Sequence, residues 1–312
     1  MRPATSDISV VIPYYNREMF VDEAVQSVLG QTIKPLEIII VNDCSREFSR
    51  RYLDRYAEMC KIVDLTENVG LAGARNAGIR AARGQFIAFL DDDDIWLPQK
   101  LEVQRQYMDE HPECAVVHTA AWFFFRDGHE EFFKRFGDGP MTLAQALTNG
   151  YWAIIPTILI RSDAARNVAF DVNFRECEDR DFIIRCCAAG CKVEGISEPL
   201  ARVRRQEQDG LTMDHWRIYR TDLRMCWKHK KHYLKAYGLR GILNFILEKI
   251  QWPSSRTRYV DGAVRLLFRF IKIEYKIKPG YRDPVLSTSQ SPSMLISSWP
   301  ADTTNLAGGT SL

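Results

Sequence analysis

Gly84-Gln-Phe-Ile-Ala-Phe-Leu-Asp-Asp-Asp-Asp-Ile-Trp96 decides the fold. An apolar run, Phe86–Leu90, reads as a strand buried on both faces. Four consecutive carboxylates follow it at once. Working outward, the same grammar recurs. Ile8–Ile12 is an apolar run ended by Pro13, and Pro13-Tyr14-Tyr15-Asn16 follows it. Leu36–Val41 is followed by Asn42-Asp43-Cys44-Ser45. Lys61–Leu65 leads into Asn68-Val69-Gly70, then Arg75-Asn76. Helical patterns lie between: Phe20–Leu29, Ser49–Met59, Ala72–Ala82 and Pro98–Glu110, with Pro98 suited to a first turn. Ala115–Phe125 is again β-rich. Strand–helix alternation with continuous apolar strands predicts an α/β fold, a mostly parallel twisted sheet with helices on both faces.

The middle is less regular. Phe132–Phe136 and Ile154–Ile160 read as strands, Thr142–Thr148 and Ser162–Asn167 as short helices, and Thr142 as a cap. Asp179–Ala189 reads as a helix stopped by Gly190. Residues 215–278 are almost wholly helical in pattern, and 283–312 is rich in Ser, Thr, Pro and Gly and reads as a disordered tail.

The 312 residues carry a net charge of +2, which hides a division. Residues 1–214 sum to −9, residues 215–282 to +13 and residues 283–312 to −2. This predicts an acidic body at 1–214, divided near residue 125, a basic helical extension at 215–282 and the tail. No apolar run reaches the length that spans a bilayer, and Met1–Asp7 has no apolar secretory core. The eight cysteines form no zinc-type pair of pairs and read as thiols in a reducing cytoplasm.

Ligands of open parallel sheets bind beyond the carboxyl ends of the strands, where the four polar clusters fall. Consecutive carboxylates repel one another unless something positive is bound. Period-two alternation puts Asp91 and Asp93 on one face and Asp92 and Asp94 on the other. Paired hard oxygens suit Mg2+ or Mn2+ carrying phosphate oxygens. The simpler reading is an acidic loop capping the next helix, with Asp94 near its start. Arg75, after a glycine-containing loop, suits a phosphate or a base carbonyl, though taken alone a surface ion pair is the simpler reading. A second acidic cluster, Glu176-Cys-Glu178-Asp179-Arg180-Asp181, opens the helix at 179. Carboxylates there are ordinary for a helix start, and one could also serve as a general base. No dinucleotide or P-loop glycine motif is present.

Taken together, Val10-Val-Ile-Pro-Tyr-Tyr-Asn16, Ile39-Ile-Val-Asn-Asp-Cys-Ser45, Asn68-Val-Gly-Leu-Ala-Gly-Ala-Arg-Asn-Ala-Gly78, Gly84–Trp96, Phe170-Asp171 and Glu178-Asp179 resemble the inverting glycosyltransferases of family 2, with a GT-A fold. The resemblance covers about residues 7–205. It implies a nucleotide-sugar donor, most often a UDP-sugar. Pro13, Tyr15 and Asn16 would line the nucleoside pocket, and Asp43 would accept a hydrogen bond from the base. Arg75 would reach the base or diphosphate. Asp91 would touch the ribose and Asp93 would bind the metal, with Asp92 between them at the donor. Asp179 would match the general base, with Glu178 beside it. Cys44 replaces a frequent glycine, and Gln206 stands where many relatives place a His, with Arg204 or Arg205 near to compensate. The signature and transmembrane helices of processive synthases are absent, so one sugar is transferred at a time.

Within 259–277 a wheel puts Arg265, Arg269, Lys272 and Lys276 on one face and an apolar stripe broadly opposite. Lys228, Lys230, Lys231, Lys235, Trp216, Trp227 and Trp252 add to it. This fits peripheral contact of 215–282 with an anionic inner membrane face, or a stripe packed on the body. No nucleic-acid motif is found. The expected acceptor is a glycan or lipid-linked surface-polysaccharide precursor, and the other reading is a non-catalytic nucleotide-sugar-binding module of the same fold.

Overall fold

The computed structural model describes residues 7–134, 139–147, 153–205 and 215–238, with side chains from 220 in the last stretch. The basic stripe at 259–277, the tail at 283–312 and Gln206 lie outside the described residues.

The chain opens with β1 (Ile8–Tyr14), α1 (Val21–Leu29), β2 (Glu37–Asn42), α2 (Glu47–Tyr52), β3 (Lys61–Asp64), α3 (Gly70–Ala81) and β4 (Phe86–Phe89). There follow β5 (Ile95–Trp96), α4 (Lys100–Glu110), β6 (Cys114–Phe125), β7 (Glu130–Phe133) and α5 (Leu143–Leu147). The last described elements are β8 (Leu159–Arg161), α6 (Ser162–Val168), α7 (Glu178–Ala188), β9 (Lys192–Arg205) and α8 (His215–Lys228).

Among the described residues, nine strands form one sheet, ordered β3-β2-β1-β4-β8-β6-β9-β5, with β7 paired to β6. Strands β1 to β4 are mutually parallel. Beyond β4 the sheet is mixed: β8 runs antiparallel to β4 and β6, and β9 is parallel to β6.

Every residue of β1 is buried. Ile8, Val10, Ile12 and Tyr14 join the core under α1 and α4, while Val11 joins the core under α3, α6 and α7. A strand between two helix layers has no solvent face, which is why its sequence runs apolar instead of alternating. Pro13 is tolerated because β4 pairs only as far as Val11, so the missing N–H breaks no bond on that side. On α1, Val21, Ala24, Val25 and Val28 are all buried, the i, i+3, i+4, i+7 stripe of an amphipathic helix. On α3, a Cβ at Gly78 would stand 2.2 Å from Val11 Cγ1, so glycine lets this helix lie close on β1.

Several sequence-based expectations need correction. Ile154–Ile160 is not one strand: residues 155–157 make a 3-10 turn and only Leu159–Arg161 pairs. Pro156 cannot donate to a ladder, and its carbonyl instead accepts Trp96 Nε1 at 2.7 Å. The helix expected from Pro98 starts at Lys100, because Leu97 O and Pro98 O are committed to Gln31 Nε2 and Thr32 N. The 14-residue β9 has no counterpart in the sequence reading. Gly195, Pro199 and register shifts against β6 interrupt its alternation. Thr142 does cap α5, exchanging hydrogen bonds with Gln145 in a capping box. Gly190 ends α7 at φ 85°.

Candidate active site

The carboxyl ends of β1, β2 and β4 meet in one hydrogen-bonded platform. Asp43 N donates to Tyr14 O. Asn16 sits in the left-handed region at φ 51°, donates its N–H to Ser45 Oγ, and accepts Arg46 N–H at 2.9 Å. Cys44 is also left-handed, at φ 58°. That geometry favours glycine and explains why glycine suits this position. Tyr14 is buried on Ser49, whereas Tyr15 is about half exposed beside it. Asp43 is buried, and its two oxygens accept Val69 N at 2.7 Å and Gly70 N at 2.9 Å. It therefore holds the start of α3, where the helix dipole favours a negative charge.

The Asp91–Asp94 run forms a turn after β4, not a continuation of the strand. Side-chain burial nevertheless alternates: Asp92 and Asp94 are buried, Asp91 and Asp93 half-buried. Asp92 accepts from Arg17 Nη1 at 3.1 Å and from Tyr15 N at 3.4 Å. Burial, together with Asp93 and Asp91, pushes its carboxyl up to about 7 against the pull of Arg17. Asp93 accepts from Arg17 Nη1 at 2.6 Å and is likewise raised, first by burial. Asp94 is raised well above the usual carboxylate range by burial, then by Asp93 and Asp91. It accepts Arg204 N at 2.8 Å. Its partner is thus on β9, and it does not cap α4.

Arg75 is the joint of the site. Its side chain is 1% exposed. Nη2 donates to Asp91 at 2.6 Å and Nη1 to Glu178 at 2.7 Å. The guanidinium also lies 5.4 Å from the Phe170 ring. Phe170 is fixed in turn by Asn76, whose side chain exchanges hydrogen bonds with its backbone at 2.8 and 2.7 Å. So α3 pins the end of β4 to the start of α7, 103 residues away. Both of the arginine's terminal nitrogens are committed to protein carboxylates.

Helix α7 begins after Cys177, which is left-handed at φ 56°. Glu178, Asp179 and Asp181 in its first turn suit the helix dipole. Glu178 is buried, and burial raises its carboxyl, with Arg75 opposing and Asp179 adding to the rise. Asp179 is less buried, with Oδ1 on Arg180 N. Asp181 and Arg180 turn the other way, onto α8 and the segment after it. Asp181 bonds His229 at 2.8 Å and Lys228 at 2.7 Å, and Arg180 bonds Asp222 at 2.9 Å. Arg204 Nε donates to Asp93 O, and Arg205 lies over the Phe123 ring.

The structure thus gathers Tyr15, Asp92 and Asp93 around Arg17, and Asp91 and Glu178 around Arg75, the two groups being joined through the consecutive residues 91–93, while Asn16 bonds Ser45 and Arg46 and Asp43 bonds the start of α3. Arg17 was missed by the sequence reading. Its only signal was position, directly after Asn16 and opposite an acidic run.

The family model for glycosyl transferase family 2 matches residues 9–172, which contain this platform and the acidic turn. The chain belongs to glycosyl transferase family 2. Its relatives include an uncharacterised glycosyltransferase of Methanocaldococcus jannaschii. The two are 28% identical over 72% of this chain and 81% of that one. Another is Bacillus subtilis TuaG, whose name assigns it to teichuronic acid biosynthesis, 33% identical over 63% of this chain and 78% of that one. Among solved structures, S. aureus TarS residues 1–349 match with a TM-score of 0.60 at 21% identity, over 86% of this chain and 78% of that one. The same fragment with UDP-GlcNAc matches with a TM-score of 0.57 at 18% identity, over 78% of this chain and 80% of that one. These neighbours establish the GT-A fold of this glycosyltransferase.

Among the described residues no group of three or more His, Cys, Asp or Glu is arranged to hold a metal. Two carboxylates suffice for Mg2+ or Mn2+ when phosphate oxygens and water complete the shell. Asp91 and Asp93, the half-open pair, are hard oxygen donors of that kind, and a cationic guanidinium already sits on Asp93. The residues fit the group.

Proposed function

We propose that this glycosyltransferase transfers one sugar, with inversion, from a UDP-sugar to an acceptor hydroxyl on a lipid-linked or surface-polysaccharide precursor. The observation that carries the reading is the Arg75 bridge. It sets the acidic turn after β4 and the acidic start of α7 on two nitrogens of one guanidinium. A donor diphosphate at the turn and an acceptor at the helix start would then be neighbours, the arrangement a displacement at the anomeric carbon needs.

In this reading Pro13, Tyr15 and Asn16 line the nucleoside pocket, and half-exposed Tyr15 has a ring face to offer it. Asp43 faces the base and Asp91 the ribose. Asp91 and Asp93 would hold Mg2+ or Mn2+, which when bound supplies stabilisation of charge on the departing diphosphate. Asp179, less buried than Glu178, takes the acceptor proton as its oxygen attacks opposite the leaving nucleotide. Glu178 holds Arg75 and through it Asp91. The relatives' names support a wall-polymer or surface-glycan acceptor, and the UDP-GlcNAc complex of the TarS fragment supports a UDP-sugar donor.

Thermal shift with a panel of nucleotide sugars, with and without Mn2+, identifies the donor, since ligand binding raises stability by mass action. Asp93→Ala is expected to lose the Mn2+-dependent part of donor binding. Asp179→Asn is expected to bind donor normally and to lose about 10²–10⁴-fold in transfer rate. Normal transfer by Asp179→Asn would overturn the base assignment. Donor binding with neither hydrolysis nor transfer in the unaltered protein would favour the non-catalytic module.

A further inference from the structure

The basic segment after residue 214 divides into two faces once α8 and the helical residues 230–238 are seen in place. The inward face is committed to the body. Thr221, Asp222, Met225, Cys226, His229 and Tyr233 are buried. Besides the bonds from Arg180 and Asp181, Tyr233 Oη donates to Leu147 O at 2.8 Å. These ties fix the orientation of the helix, and with it what points outward.

The outward face carries Arg220, Trp227, Lys230, Lys231 and Lys235, all exposed, whereas Arg224, also exposed, donates to Asn173 O at 3.2 Å. Asp222 is the one acidic residue between 220 and 238, and it is buried against Arg180. Outward charge is therefore of a single sign. Arg220, Lys231 and Lys235 make no hydrogen bond or ion pair among the described residues. Trp227 is 73% exposed and Leu234 46% exposed. Lys230 Nζ lies 4.0 Å from the centre of the Trp227 ring. A solvated helix face needs neither an exposed indole nor a one-signed charge. An indole flanked by long cationic side chains suits a headgroup layer, where the ring enters the boundary and the ammonium groups stay with the phosphates.

We infer that the outward face of residues 220–238 is a docking surface for an anionic lipid bilayer. The docking is independent of the transfer chemistry. Its consequence is positional: the helix that docks is bonded through Asp222, Lys228 and His229 to the first turns of α7, where Glu178 and Asp179 sit. The bilayer would lie on the α8 side of that helix, the side from which a lipid-linked acceptor would come.

The test is co-sedimentation of the full chain with phosphatidylcholine vesicles, with and without phosphatidylglycerol. The unaltered protein is expected to bind the anionic vesicles, less so as salt rises, and the neutral ones weakly. Lys230→Ala/Lys231→Ala/Lys235→Ala is expected to weaken binding by about five-fold per base, roughly 10²-fold in all. Trp227→Ser is expected to weaken it further at high salt, where the apolar part dominates. A control with Arg51, Lys61 and Arg80 changed to Ala, exposed bases elsewhere on the body, is expected to bind as the unaltered protein does. Far-UV circular dichroism and the melting temperature check that each variant is folded. Unchanged binding by the triple variant, equal binding to neutral vesicles, or an equal loss in the control would overturn the proposal. So would binding to duplex DNA with none to the vesicles, which would assign the face to nucleic acid.

Discussion

Arg75→Met removes the guanidinium that two carboxylates share, and its effect can be worked from the structure. The arginine side chain is 1% exposed, Glu178 10% and Asp91 24%. Breaking a buried ion pair by deleting one partner leaves an uncompensated charge and costs roughly 3–5 kcal/mol. Most of that falls on Glu178, the deeper of the two. Burial already raises its carboxyl above the ordinary 4.5, and Arg75 is the largest influence opposing the rise. Without the arginine the carboxyl rises further, and the folded protein then binds a proton that the unfolded chain has released. Stability falls with pH wherever the folded state binds more protons. The penalty of Arg75→Met should therefore be small near the ordinary glutamate pKa and grow as pH rises above it. Arg75→Met/Glu178→Gln removes the stranded charge and should recover about 2 kcal/mol or more at pH 7. Urea unfolding followed by circular dichroism reads each variant, with an unchanged slope showing that compactness is preserved. A single-variant penalty under about 1 kcal/mol, a penalty flat with pH, or a double variant no more stable than the single would refute the reasoning.

Three further outcomes follow from particular contacts. Lys100 is fully buried, with its ammonium on Gln104 Oε1 at 2.7 Å and 4.0 Å from the Trp96 ring, and burial holds its pKa well below 10.5. Below 10.5 the unfolded chain binds the proton more readily, so stability rises toward alkaline pH. Lys100→Met is expected to gain about 1–3 kcal/mol at pH 7 and to lose that rise, as melts from neutral to alkaline pH would show. Cys44→Gly relieves a left-handed residue at φ 58° and should stabilise by about 0.5–1 kcal/mol; a lower melting temperature would contradict the strain argument. Gly78→Ala places a methyl 2.2 Å from Val11 Cγ1 and should destabilise by about 1–3 kcal/mol, with Val11→Ala in the same chain restoring part of it. If Val11→Ala restores nothing, the contact is not the cause.

The parallel half was legible because its strands are buried on both faces and its loops carry unusual polar groups. The run Ile8–Ile12 reads as an inner strand, and Asp91–Asp94 stands out by its charge, with a metal-holding turn and a helix-capping loop both open. The C-terminal half was legible only in its helices. The strand β9 hides behind Gly195 and Pro199, because a long strand that bends across another has no steady alternation to read. Arg75 stands out in the sequence as a group that can reach a ligand, and the structure shows it paired with two carboxylates. Sequence spacing shows that a guanidinium can reach a site but not that two carboxylates, one of them 103 residues away, already hold it. The segment after 214 was read as an appendage because its charge changes abruptly. Charge reports the outward face, while Met225, Cys226 and Tyr233, too sparse to stand out, belong to the core.

The acidic turn is better understood by asking which of its charges can be released. Asp94 is committed to a backbone N–H on β9, and Asp92 reaches back to the backbone of Tyr15. These two shape the turn. Asp91 gives Oδ1 to Arg75, and Asp93 gives Oδ2 to Arg17. Both half-open carboxylates thus rest on an arginine, Asp91 on Arg75 and Asp93 on Arg17. The two arginines are not equivalent. Arg75 is enclosed, and removing it strands charge inside the protein. The side chain of Arg17 is 47% exposed, so water screens its side of the pair with Asp93 far more than it reaches Arg75. In the proposed reading Asp93 is the carboxylate that would be shared with a divalent cation, so Arg17 would be the partner that gives way and Arg75 the one that stays. Arg17 stands one residue beyond Asn16, within the same loop as the proposed nucleoside pocket. In that reading the Arg75 bridge would hold the two acidic clusters together throughout, and only the positive charge that balances Asp93 would change.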